Sequence, residues 1–288
     1  MKRDRALLRE EIFLLPDINN PGETGSETSS AGKLGAQTLL RGLTILEYIA
    51  QGITDDRELM QRLDIPRSTI QRILDNLVSE GYLYQIPYSG YTLGHKLIYL
   101  GSRALGQRPL IDIAHPALEE LALETSDTVH MGVPEGYDVL YLDKIPGSKG
   151  LEMRSRVGQK MPLAATGLGK SLMFGMQATD WKRYYDDVLQ RKEDAGSEYP
   201  KLASWPEYKD NLLNYKKQGW AMDLEENEVG IRCVSAPVRD QEGAVIAAIS
   251  ISSAIFYMSH ERMQELGPLV ASTARKISEK MPAANKSR

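Results

Sequence analysis

Three groups of side chains in this 288-residue chain have types and spacings that could do chemistry. The first is Cys233, which closes the run Asp223-Leu-Glu-Glu-Asn-Glu-Val-Gly-Ile-Arg-Cys233, an acidic loop feeding a strand. The second is the pair Ser250 and Ser252 in Val245-Ile-Ala-Ala-Ile-Ser-Ile-Ser252, where period-two alternation puts both hydroxyls on one face of a strand. Two buried hydroxyls need partners, and a ligand can be one. They can equally bond neighbouring backbone while Cys233 fills core space. The third is Met153-Arg-Ser-Arg-Val-Gly-Gln-Lys-Met161 with Pro162-Leu-Ala-Ala-Thr-Gly-Leu-Gly-Lys170, which breaks at Gly158 and Pro162 and opens a helix near Thr166. The first amides of a helix have no intrahelical acceptor and carry partial positive charge, so Gly167 and Leu168 could hold a carboxylate without a buried Lys or Arg. An anionic ligand is the expectation.

Other chemistries fit less well. Gly169-Lys170-Ser171 resembles the end of a phosphate loop, but Ala164 stands where that loop needs its first glycine. The acidic run lacks calcium-loop spacing and reads as a solvated loop, so no metal site and no cofactor are expected. A thiol enzyme, with Cys233 as nucleophile and His115 or His130 as base, is the rival reading, since a thiolate needs an activator nearby. The preferred reading assigns no catalytic residue. His95 reads as a solvated or phosphate-facing residue, and His260 lies near a helix start.

A separate polar cluster, Arg67, Ser68, Thr69, Gln71 and Arg72, opens the segment Arg67–Glu80, whose other face carries Ile70, Ile73, Leu74, Leu77 and Val78. Arg can bridge two acceptors on guanine, Gln can pair with adenine, and Ser and Thr can meet phosphates. Such a face can also be plain solvated surface on a protein-binding module.

The elements that must position these groups follow from periodicity. Helical spacing begins at Gly35 (Leu39, Leu40, Leu43, Ile45, Leu46, Ile49) and stops at Gly52. A short helix after Asp55, a break at Asp64-Ile-Pro66 and the Arg67 helix complete a three-helix set. Tyr82–Ile86 and Gly90–Leu93 then flank Pro87-Tyr-Ser89 as a hairpin, which makes a winged helix-turn-helix. Further helices are expected at 94–107, 111–123, 167–176, 209–218 and 261–280, with strands at 128–133, 139–144, 231–238 and 244–252. Hairpin turns at 134–137 and 240–243 imply an antiparallel sheet with helices packed on it, an α+β architecture. The division is a disordered tail at 1–34, a winged helix-turn-helix at 35–93, a linker helix at 94–108, an effector domain at 109–282 and a short tail at 283–288.

Composition agrees with a cytoplasmic protein: one cysteine excludes an internal disulfide framework, and no apolar run is long enough to span a bilayer. The net charge of −4 argues against indiscriminate nucleic-acid binding. Charge is nevertheless uneven, +3 over residues 67–108.

Gly35-Ala-Gln-Thr-Leu-Leu-Arg-Gly-Leu-Thr-Ile-Leu46, Asp64-Ile-Pro-Arg-Ser-Thr-Ile-Gln-Arg-Ile-Leu74, Gly81-Tyr-Leu and Tyr91-Thr-Leu-Gly94 resemble the helix-turn-helix and wing of IclR-type regulators. Pro162–Lys170, Asp223–Cys233 and Ala247–Ser252 resemble that family's effector domain, and the likeness runs over about residues 35–280. It implies a GAF-like effector domain, double-stranded operator DNA as partner, a homodimer or homotetramer, and a repressor of carbon-catabolic genes answering to a sugar acid or keto acid. The resemblance further implies polar effector contacts at Gly167, Leu168, Asp223, Cys233, Ser250 and Ser252, and an apolar wall of Met153, Met161 and Ile231. Leu168 departs from the alanine often found at its position.

Overall fold

The computed structural model describes residues 30–150, 153–198 and 200–281. They form two compact units that divide between Gln107 and Arg108. The tails expected at either end lie outside the described residues, except that the first helix, α1 (Ser30–Ala50), begins inside the segment read as a disordered lead-in. Extending a helix adds a hydrogen bond for each residue fixed, so Ala31, Lys33 and Leu34 prolong one already nucleated further along.

In the first unit, α2 (Asp56–Leu63) starts because Asp55 accepts the amides of Arg57 and Glu58 at 2.9 and 3.1 Å. It stops where Asp64 takes a left-handed conformation. Pro66 then leads into α3 (Arg67–Ser79), which buries Ile70, Ile73 and Leu74. These pack with Ile45, Ile49, Leu59, Leu83 and Tyr91 into one small core. The wing pairs β1 (Leu83–Ile86) with β2 (Gly90–Leu93), antiparallel. Gly90 is required here: its φ is +83°, and a Cβ would fall 2.2 Å from the Thr54 carbonyl oxygen. A helix α4 (His95–Leu105) follows, with no side chain fully buried within the unit.

The second unit begins with α5 (Pro109–Thr125) and a hairpin of β3 (Thr128–Glu135) and β4 (Asp138–Ile145). Next come β5 (Lys160–Pro162), a 3-10 turn at Leu163–Ala165, and helices α6 (Gly167–Met173), α7 (Trp181–Asp194) and α8 (Trp205–Gln218). Three strands, β6 (Ala221–Leu224), β7 (Ile231–Arg239) and β8 (Val245–Ala254), precede α9 (His260–Ser278). The sheet is antiparallel throughout, in the order β5-β4-β3-β8-β7-β6.

Alternation along each strand sorts the side chains between two faces. Val129, Met131, Val234, Ala236, Ile249 and Ile251 pack with α5 and α9. Val139, Tyr141, Ala221 and Ala248 pack with α6, α7 and α8 on the other face. His130, Ser250, Ser252, Cys233 and Asp223 belong to that second face by the same parity. The fold is therefore the expected α+β sheet with helices packed on it, with β5, β6 and α7 in addition to the expected elements and with α6 ending at Met173, short of the expected position 176.

Candidate functional site

The nine residues expected to contact an effector (Met153, Met161, Gly167, Leu168, Asp223, Ile231, Cys233, Ser250 and Ser252) all line one cavity of about 230 Å³. It lies on the α6 side of the sheet, under the β4–β5 connection. Thr166 caps α6 by accepting the Gly169 amide at 3.0 Å, and the Lys170 amide bonds back to the Thr166 carbonyl. Gly167 and Leu168 thus hold the first two helical amides, which have no acceptor inside the helix. Gly167 sits tight against β7, where an added Cβ would meet Cys233 Cβ at 3.2 Å.

A chain of polar contacts crosses the cavity floor. Ser252 donates to Cys233 Sγ at 3.1 Å, and its oxygen lies 3.3 Å from His130 Nδ1. Because that hydroxyl has one proton, His130 must donate from Nδ1, and its Nε2 accepts from Ser155 at 2.7 Å. Burial, aided by the charge of Lys144, pushes the His130 pKa down to about 3, so the ring is neutral. Burial and the neighbouring Asp223 push the Cys233 thiol up, outweighing its bond to Ser252. This arrangement keeps sulfur and imidazole uncharged with a hydroxyl between them, which opposes the thiolate that a nucleophilic cysteine needs. His115, the other base considered, is elsewhere, on α5, 2.6 Å from Asp143.

The acidic loop walls the cavity with Asp223, Asn227 and Glu228. Its other carboxylates have structural partners: Glu225 pairs with Arg232 at 3.0 Å, and Glu226 with the buried ammonium of Lys170. Lys170 also donates to the Met222 carbonyl at 2.9 Å. Burial alone would lower its pKa, but Glu226 and Asp223 raise it, so it stays charged. Asp223 accepts the Glu226 amide at 2.8 Å, yet burial and the charge of Glu226 raise its carboxyl to about 7 against the pull of Lys170.

In the first unit, Arg67, Ser68 and Arg72 are exposed on α3, while Thr69 and Gln71 are half-buried. Gln71 donates to Asp75 at 3.0 Å. The wing tip presents Tyr88, fully exposed. His95, expected to be solvated or phosphate-facing, bonds its Nδ1 to the Tyr84 hydroxyl and stacks on that ring.

Residues 38–87 match the IclR helix-turn-helix domain, and residues 102–279 match the bacterial transcriptional regulator IclR C-terminal domain. The chain belongs to the IclR family of transcriptional regulators. It is 35% identical to the HTH-type transcriptional regulator KdgR of Escherichia coli K12, over 85% of this chain and 92% of that protein. It is 30% identical to the transcriptional repressor IclR of the same organism, over 84% and 89% of the two chains. The crystal structure of the Thermotoga maritima IclR superposes with a TM-score of 0.66 at 28% identity, covering 85% of this chain and 99% of that one. This IclR-family member is accordingly a DNA-binding regulator and not an enzyme, and none of its described helices is long and apolar enough to cross a membrane.

The family resemblance did not supply His130, Tyr141, Arg154, Ser155, Gln159, Thr166, Asn227 and Glu228, which also line the cavity. Strand pairing could have found His130, which is the register partner of Ser250. Arg154, Ser155 and Gln159 come from an irregular connection, where no periodicity points.

Proposed function

We propose that this IclR-family regulator is a homo-oligomeric repressor of carbon-catabolic genes whose grip on a pseudo-palindromic operator is controlled by a small anionic metabolite, a sugar acid or keto acid. The observation that carries it is the convergence of nine residues from four strands, one helix and one loop on a single cavity of about 230 Å³, the scale of a small metabolite site. Within it the Gly167 and Leu168 amides, Ser250 and Ser252 receive the ligand's acid group, and Met153, Met161 and Ile231 form the apolar wall. Repression is favoured by the relatives named as repressors, IclR and AllR, and control of carbon metabolism by the acetate operon repressor of Salmonella typhimurium, 30% identical to this chain.

Residues 35–93 form the DNA-reading domain in this proposal, 94–108 the linker and 109–282 the effector domain. Arg67, Gln71 and Arg72 read bases and Ser68 and Thr69 hold phosphates. Leu39, Leu40, Ile98 and Tyr99, exposed apolar side chains on α1 and α4, supply the contact with a second copy. Effector and operator affinities are then linked reciprocally. The test is fluorescence anisotropy of the full chain on DNA from upstream of its own gene, at two salt concentrations and with scrambled competitor. Specific binding that a sugar acid or keto acid weakens is expected; sequence-blind, salt-sensitive binding would remove the proposal.

A further inference from the structure

Arg154 is the one Lys or Arg among the described residues that line the cavity. Its guanidinium is exposed and has no hydrogen-bond or ion-pair partner among the described residues. The backbone on either side is nevertheless pinned. Lys144 Nζ, reaching up from β4, donates to the Met153 carbonyl at 2.7 Å and to the Ser155 carbonyl at 2.8 Å. Ser155 is held a second time by His130, at 2.7 Å, and Met153 is buried. A solvated arginine gains nothing from such fixing. An arginine that must engage a ligand does, because less freedom remains to be lost when it binds.

The charges in the cavity are also segregated. The strap carrying Arg154 is tied to β4 and β3, whereas Asp223 stands on β6, separated from β3 by β8 and β7. Glu228 belongs to the loop that follows β6. An acid group is thus repelled at the β6 end and attracted under the strap. Guanidinium offers a planar fork that matches a carboxylate, and hydroxyl donors suit the Asp223 end.

We propose that Arg154 is a specificity-determining residue that reads a second acidic group on the effector, so that the cavity selects dicarboxylates, hydroxylated ones included, over the matched monocarboxylates. This rests on the reading of the cavity as a site for a small acid and adds the class of acid. The first acid group lies deeper, among the amides and hydroxyls already described, and Arg154 closes over the second.

The test is isothermal titration calorimetry on the full chain with two matched pairs, glucarate against gluconate and malate against 3-hydroxybutyrate. In at least one pair the diacid is expected to bind about tenfold tighter, the worth of one charge-assisted hydrogen-bonded contact. Arg154→Gln should bring the diacid down to the monoacid's affinity and leave the monoacid and the melting temperature unchanged. Arg154→Lys should keep part of the preference. Arg156→Gln removes the same charge from the same strap, but Arg156 does not line the cavity, so the preference should survive. Equal binding within both pairs, a preference that persists in Arg154→Gln, or an equal loss in Arg156→Gln would each overturn the role of Arg154 while leaving the small-acid site standing. Failure of all four acids to bind would overturn the small-acid reading itself, and this inference with it.

Discussion

Ser252 donates its hydroxyl to the sulfur of Cys233 across 3.1 Å, from the adjacent strand on which the two are register partners. A thiol that accepts this bond, half-buried at the cavity floor and beside Asp223, stays protonated. Native protein at neutral pH should therefore react with a disulfide reagent on the order of a hundredfold more slowly than the urea-unfolded chain. The single cysteine makes the measurement unambiguous. Equal rates would mean an accessible thiol with no upward shift, and a native rate above the unfolded one would mean a stabilised thiolate and reopen nucleophilic chemistry.

Asp223 links the site to pH. Its folded carboxyl titrates at about 7 instead of the usual 3.8, so the folded state holds a proton that the unfolded chain releases. The stabilising contribution is therefore complete below the unfolded value and is lost as pH rises through the folded one. Asp223→Asn keeps an acceptor for the Glu226 amide and cannot ionise. Melting curves should show the variant gaining on the wild type as pH rises from about 4 to about 7, with a constant difference above that. His115, whose pKa is raised chiefly by Asp143, is common to both proteins and cancels. Parallel curves would show that Asp223 ionises normally.

The ammonium of Lys170 and the carboxylate of Glu226 form a buried pair in the wall beside that carboxyl. Lys170→Met leaves Glu226 uncompensated and should cost roughly 3–5 kcal/mol in urea denaturation. Adding Glu226→Gln should recover part of the loss, since the two substitutions are coupled. Additive losses would mean that the pair contributes little beyond two separate contacts.

What could be read from the sequence follows from how each element announces itself. The α3 stripe and the β8 alternation are long enough to show a period, and both formed where expected. The β6 strand, Ala221–Leu224, is too short to show one. For α7 the signal was present: Trp181, Tyr184, Tyr185 and Val188 are its buried residues, at helical spacing, but charged residues between them hid the stripe. The strap residues Arg154 and Ser155 carry no periodic signal at all. They are held at the cavity by Lys144, whose bonds to the Met153 and Ser155 carbonyls on either side of Arg154 span sequence distances that no local pattern encodes.

On α3, the helix proposed to read DNA, Arg67 and Arg72 are exposed, while Gln71 is tied to Asp75 at 3.0 Å. Arg67→Ala and Arg72→Ala should each weaken specific operator binding by about 1–3 kcal/mol if the side chain meets a base. A side chain that meets phosphate would instead weaken all sequences alike and reduce the salt slope by about one. Asp75→Ala frees the Gln71 amide and should leave the fold intact, so tighter or re-specified binding would identify Gln71 as a base reader. Anisotropy against operator and scrambled duplexes distinguishes these outcomes.

Two glycines at the start of α6 separate fold from recognition. A Cβ on Gly169 would fall 2.0 Å from the Leu163 carbonyl oxygen, and since that atom is backbone, the helix would have to leave the 3-10 turn beneath it. Gly169→Ala should therefore destabilise the second unit by about 3 kcal/mol or more. A Cβ on Gly167 would approach Cys233 Cβ at 3.2 Å and Ser235 Oγ at 3.4 Å, contacts that relax with a shift of a few tenths of an ångström. Gly167→Ala should then fold with a melting temperature close to wild type, yet alter the cavity that Gly167 lines. Loss of the effector response in a Gly167→Ala protein that still binds operator would assign this turn of α6 to recognition. An unchanged response would move the ligand away from α6, and a collapse of stability as large as that of Gly169→Ala would show that both glycines serve packing alone.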